Sequence, residues 1–170
     1  MTSQRAFLTV TALVLGACGG DRKPADTAAS VRVDTATAPA TAVADKGAAT
    51  YAQICQSCHQ ATGIGVEGTF PPLKGSHWLN GNPDVPISIV IGGLQGEITV
   101  GGKPFNGVMQ AWSMLSDDDI ASVLTYTRSQ WGNAAAAVTP AQVKAVRDKI
   151  GTHSAWSADE LKKTYPGAGS

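Results

Sequence analysis

Two cysteines three positions apart, followed at once by a histidine, form the most reactive stretch of the chain, Cys55-Gln56-Ser57-Cys58-His59. Thiols at this spacing share one turn of a helix, where both can form thioethers to the vinyl groups along one side of a porphyrin. The next residue then projects its imidazole onto the iron. C-x-x-C-H therefore reads as the attachment site of one covalent haem c, with Cys55 and Cys58 as the bonded thiols and His59 as an iron ligand. Two other chemistries use paired cysteines. A thioredoxin-type pair follows a strand and opens a helix, and no strand pattern precedes Cys55. A zinc site needs a second pair of ligands, whereas His77 and His153 stand singly.

The elements that must hold this motif can be read from periodicity and caps. Residues 47–60 read as a first helix, with Tyr51, Ile54, Cys55 and Cys58 on one side and Gly63 and Gly65 ending it. Pro71-Pro72 and Gly75 make 69–76 an irregular loop. A short helix over Asp84–Gly92, starting near Pro86, turns Ile87, Val90 and Ile91 inward. Residues 97–100 and 103–105 flank Gly101-Gly102 as a tight hairpin. The helix over 117–131 is capped by Ser116 with Asp119 facing the cap, carries Ile120, Val123, Leu124 and Thr127 inward, and stops at Gly132-Asn133. Its three leading aspartates suit a first helical turn better than a calcium site. Thr139-Pro140 opens a further helix to Ile150, and Ser157 with Glu160 caps another before Leu161. This C-terminal extension, 134–170, is expected to lie on the domain surface.

The 170 residues suffice for one compact domain. Thirteen basic and thirteen acidic residues cancel, which argues against a nucleic-acid partner. With aromatics at only 6%, a bound apolar group would supply much of a small core. The third cysteine, Cys18, ends a short apolar run that follows Arg5. That run is shorter than the ~20 residues needed to span a bilayer and has the pattern of a secretory signal. Leu15-Gly16-Ala17-Cys18 resembles a bacterial lipobox, so residues 1–17 read as a lipoprotein signal peptide and Cys18 as the acylated residue. Residues 18–46, rich in Ala, Thr and Pro, read as a disordered tether with a reach of roughly 30 Å. The expected location is extracytoplasmic, on a membrane, at the periplasmic face in a two-membrane bacterium.

From Gly47 to about Asn133 the chain resembles the class I cytochrome c domain. The resemblance rests on Gly47, Tyr51 and C-x-x-C-H, on Phe70-Pro71-Pro72-Leu73-Lys74-Gly75-Ser76, and on Asn106-Gly107-Val108-Met109-Gln110-Ala111-Trp112. A final segment runs from Leu115-Ser116 to Gly132-Asn133. It implies a domain over 47–133 with an all-α fold wrapped around one haem. It also implies His59 as proximal ligand, Met109 as distal ligand, and Pro71 as the proline whose carbonyl orients the imidazole. Tyr51 and Val123 or Leu124 would match the contact between first and last helices. Gln110 departs from the family, where a proline commonly follows the ligand methionine and stiffens its loop.

A methionine is usually core filler, so the distal position is weighed separately. Met109 follows Asn106-Gly107, read as a flexible turn that returns the thioether over the ring. Met114 precedes a helix cap, where core packing accounts for it, and His77 lies near the proximal loop. Met109 is the favoured ligand. Ligation by His and Met raises the reduction potential and leaves no open position for substrate, peroxide or gas. Leu73, Trp78, Ile91 and Trp112 are expected to wall the ring from water. The resulting expectation is a single-electron carrier, not an enzyme, that meets redox proteins and has no small-molecule substrate. A haem enzyme or sensor would need Met109 absent or displaced. A structural lipoprotein would use the haem only for assembly.

Overall fold

The computed structural model describes residues 40–170. The expected leader 1–17, the acylated Cys18 and the tether as far as residue 39 lie outside the described residues. Helix α1 spans Ala40–Thr50 and therefore begins inside the segment read as tether. Three of residues 40–46 are alanine, the strongest helix former, and Lys46 pairs with Asp119 of a later helix at 2.9 Å. The helix continues through a π-helical segment, Tyr51–Cys55, in which the Gln56 N–H reaches back to the Tyr51 carbonyl, and then through α2, Gln56–His59. Gln60, at φ 61°, ends it before either glycine, and the Tyr51 hydroxyl donates to the Gln60 carbonyl at 2.6 Å.

Short helix α3, His77–Asn80, leads to α4, Asp84–Gly92, which is apolar nearly all round and correspondingly buried. Strands β1, Leu94–Val100, and β2, Lys103–Met109, form an antiparallel pair in which Leu94 faces Met109 and Val100 faces Lys103. The hairpin is longer than the sequence indicated, and the fold is helical with a two-stranded sheet rather than all-α. Asn106 and Gly107 belong to β2 and pair with Glu97 and Gly96, so they form no turn before Met109. Glycines at 96 and 107 weaken the strand signal without preventing pairing.

Helix α5, Asp117–Ser129, has the expected capping box: the Ser116 hydroxyl accepts from the Asp119 N–H, and the Asp119 carboxylate accepts from Ser116. It crosses α1 at Gly47, where a Cβ would lie 2.7 Å from that of Tyr126 and strike the Ser122 carbonyl. Ile120, Val123, Leu124 and Thr127 are buried. Helices α6, Pro140–Ile150, and α7, Ala158–Thr164, are opened by the Thr139–Gln142 and Ser157–Glu160 boxes. These C-terminal elements enter the core instead of coating it: Val143, Leu161 and Trp156 are all buried. One apolar cluster joins the π-helical segment to α3, α4, α5 and α6, and a second joins the hairpin to Trp78, Trp156, Leu161 and Tyr165. Among the described residues no helix is long and apolar enough to cross a membrane.

Asp119 both closes the α5 cap and reaches Lys46 of α1. The Ser116 hydroxyl, and then Lys46, hold its carboxyl below the usual carboxylate range. Its contribution is therefore complete above the unfolded pKa of about 3.9 and is lost as pH falls through the lower folded value. Asp119→Asn should cost about 0.5–1 kcal/mol at neutral pH. Denaturation midpoints measured down to acid pH should fall less steeply in the variant than in the parent.

Candidate haem site

The end of the first helix carries Cys55, Cys58 and His59 to the edge of a crevice. His59 Nδ1 lies 3.0 Å from the Pro71 carbonyl oxygen. A carbonyl only accepts, so Nδ1 donates and Nε2 keeps its lone pair. Burial lowers the imidazole pKa, with the Pro71 contact partly opposing, which favours the neutral ring that can bind a metal. Neither Cys55 nor Cys58 is paired in a disulfide, and in the chain before haem attachment burial, helped by neighbouring Cys58, pushes the Cys55 thiol up to about 11.

Pro71 is delivered by a loop folded tightly under the helix end. The Gly65 N–H donates to the His59 carbonyl at 3.1 Å, and Gly63 accepts from the Leu73 and Lys74 N–H groups at 2.8 and 3.0 Å. Gly65, at φ 66°, also leaves room for Pro71: a Cβ would sit 2.7 Å from the proline carbonyl oxygen. Asn133 braces the far side of this loop. Its Oδ1 accepts from the Gly75 N–H and from Asn80 Nδ2, at 2.8 and 2.9 Å, and its Nδ2 donates to the carbonyls of Thr127 and Leu73. From sequence, Asn133 reads only as a helix stop. An isolated asparagine after glycine carries no signal of such a role.

The opposite wall is the hairpin. A cavity of about 400 Å³ is lined by Cys55, Cys58, His59, Phe70 and Pro71 on one side. Leu94, Ile98, Phe105, Met109 and Trp112 line the other. A second lobe of about 100 Å³, bounded by Leu73, Trp78, Ile89, Val123 and Leu124, shares Cys55, His59, Pro71 and Met109 with the first. The crevice thus brings together every haem-binding residue expected from the sequence, apart from the walls' details. Ile91 is not in the lining and packs in the helical core. Met114 is 78% exposed, so core packing does not account for it, and neither it nor exposed His77 lines the crevice. Tyr51 sits behind the wall with Val123 and Leu124 in one cluster, its ring 5.1 Å from that of Trp131.

This donor set suits one kind of occupant. Among the described residues no three His, Cys, Asp or Glu side chains gather around a point, so a bare ion has no all-side-chain cage. Two free thiols, a neutral imidazole and a thioether instead border a long apolar slot, the surroundings that fit a flat apolar ring bearing a metal. A family model for cytochrome c matches residues 44–131. The chain belongs to the cytochrome c family. It is 38% identical to a cytochrome c-552 of Thermus thermophilus over 128 residues, covering 62% of this chain and 96% of that one. It is also 36% identical over 111 residues to the cytochrome c subunit of an alcohol dehydrogenase (quinone) of Gluconacetobacter polyoxogenes, covering 60% of this chain and 22% of the subunit. A fructose dehydrogenase cytochrome subunit of Gluconobacter japonicus is 35% identical over 108 residues, with 59% and 22% covered. As a cytochrome c, the protein carries covalently attached haem c and transfers electrons rather than catalysing a reaction.

Because Asn133 satisfies four backbone and side-chain partners at once, Asn133→Ala should destabilise the cytochrome by about 1–3 kcal/mol. A guanidinium titration should show a lower midpoint with an unchanged slope.

Proposed function

We propose that this cytochrome is a single-electron carrier whose iron is closed on both faces, by His59 and Met109. The observation that carries this reading is that, of Met109, Met114 and His77, only Met109 lines the crevice with His59. Cys55 and Cys58 would hold the haem through thioether bonds to its two vinyl groups, each S–H hydrogen going to the adjacent carbon. His59 would ligate the iron through Nε2, while the Pro71 carbonyl, by accepting from Nδ1, fixes the tautomer and ring orientation. Met109, which lines the same crevice, would supply its thioether as the second ligand. Haem supplies a one-electron ferric–ferrous couple. Leu94, Ile98, Phe105 and Trp112 keep water from it, which with the thioether favours the reduced, less charged form.

The partners are redox proteins that approach the crevice mouth, where Val108, itself part of the lining, is 74% exposed. With basic and acidic residues balanced, docking depends weakly on salt. The dehydrogenase cytochrome subunits among the relatives support a partner of the dehydrogenase or respiratory class. The lipobox and Cys18 support attachment to a membrane on its extracytoplasmic side, since several acyl chains give stable anchoring where one does not.

Met109→Ala should abolish the far-red sulfur-to-iron absorption band, lower the reduction potential and admit carbon monoxide to the reduced protein, while the haem stays attached. Met114→Ala should leave all three unchanged. Exchange of the two results would refute the assignment.

A further inference from the structure

Met109 ends a strand that has something behind it. Its partner in register is Leu94, and Leu94 is bridged on its other side to Trp156. The Trp156 N–H donates to the Gly93 carbonyl at 3.0 Å, and its carbonyl accepts from the Gln95 N–H at 2.8 Å. Residues 93–95 are therefore gripped between the Met109 backbone and a single residue of the C-terminal extension. The contact is close because two glycines stand there. A Cβ on Gly93 would lie 2.7 Å from the Met109 carbonyl oxygen, and a Cβ on Gly92 would lie 2.9 Å from the Trp156 indole nitrogen. One bare stretch of backbone separates the indole from the methionine peptide.

The grip is anchored in turn. The Trp156 indole N–H donates to the Ser88 carbonyl of α4 at 3.1 Å, and the Ser88 hydroxyl bonds the Tyr165 hydroxyl at 2.7 Å. Ser88, Trp156 and Tyr165 are all buried, so these bonds are not shared with bulk water. The chain leaving Met109 is held as well, by the Trp112 N–H on the Val90 carbonyl at 2.8 Å. A thioether is a weak ligand to iron, and the residue after Met109 is Gln110, whose backbone no ring constrains. Rigidity at Met109 must come from packing.

We infer that the C-terminal extension supplies it: Trp156, locked by Ser88 and Tyr165, is a positioning residue that keeps the Met109 sulfur on the iron. The inference rests on Met109 being the distal ligand. Loosening the clamp raises the fraction of molecules with sulfur detached, and an added ligand binds more tightly in proportion to that fraction.

The test is an imidazole titration of the full, haem-loaded ferric protein, read by loss of the far-red sulfur-to-iron band. Thermal melts followed by far-ultraviolet circular dichroism run alongside. Trp156→Phe should tighten apparent imidazole binding about tenfold or more, and Tyr165→Phe about threefold, at temperatures where the helices remain intact. Val143→Ala, in the other core cluster, should lower the melting temperature but shift imidazole binding less than about twofold. Unchanged imidazole affinity in Trp156→Phe would overturn the inference, as would an equal shift in Val143→Ala. Should Trp156→Phe fail to mature, no shift in Tyr165→Phe would overturn it equally. Persistence of the band in Met109→Ala would instead sink the ligand assignment beneath it.

Discussion

An apolar slot must be held open between the end of the first helix and the hairpin, and most of the molecule serves that separation. One wall carries two thiols and an imidazole, the other a thioether, on segments far apart in sequence. Each wall rests on its own apolar cluster: the helical one behind Tyr51 and Leu124, the hairpin one behind Trp156 and Leu161. With aromatics scarce, neither cluster fills the gap between Ile98, Phe105, Leu73 and Val123. Exposed, such a lining would be costly. The covalent haem of a cytochrome c supplies the missing core as well as the redox couple, so attachment and folding stability rest on the same contacts.

The loop that presents Pro71 and the segments around it are braced by polar groups that face inward. Arg128 is only 3% exposed, and its hydrogen bonds go to the carbonyls of Leu79, Gly81 and Ala136. Burial draws its guanidinium below the ordinary range, but an arginine remains charged through shifts that would neutralise a lysine. Its planar fork lets one side chain on α5 collect backbone acceptors from two separate segments. Asn133 performs the equivalent task for the loop nearer the haem. Both satisfy carbonyls that no secondary structure claims.

Much of this was legible from residue types alone. C-x-x-C-H specified the attachment chemistry because few other sites need that spacing, and the boxes at Ser116 and Ser157 marked helix starts through local hydrogen bonding. Local rules failed where tertiary contacts decide. The early start of α1 depends on α5 crossing it at Gly47, and the hairpin's full length depends on pairing that glycines conceal. Met114 read as core, and nothing in the sequence singles out Arg128 as buried. Neither exposure follows from helical periodicity. The C-terminal extension carried few large apolar residues to announce itself, yet Val143, Val146, Trp156 and Leu161 are buried, and the placement of Trp156 behind Leu94 depends on long-range packing.

Intact and peptide mass spectrometry of the protein purified from a host able to mature c-type cytochromes decides whether a porphyrin is bonded to the paired cysteines. The chain mass should rise by one haem, with the adduct on the peptide containing Cys55 and Cys58 and neither thiol open to alkylation. A chain of unmodified mass, with both thiols alkylated and no Soret absorption, would contradict that bonding.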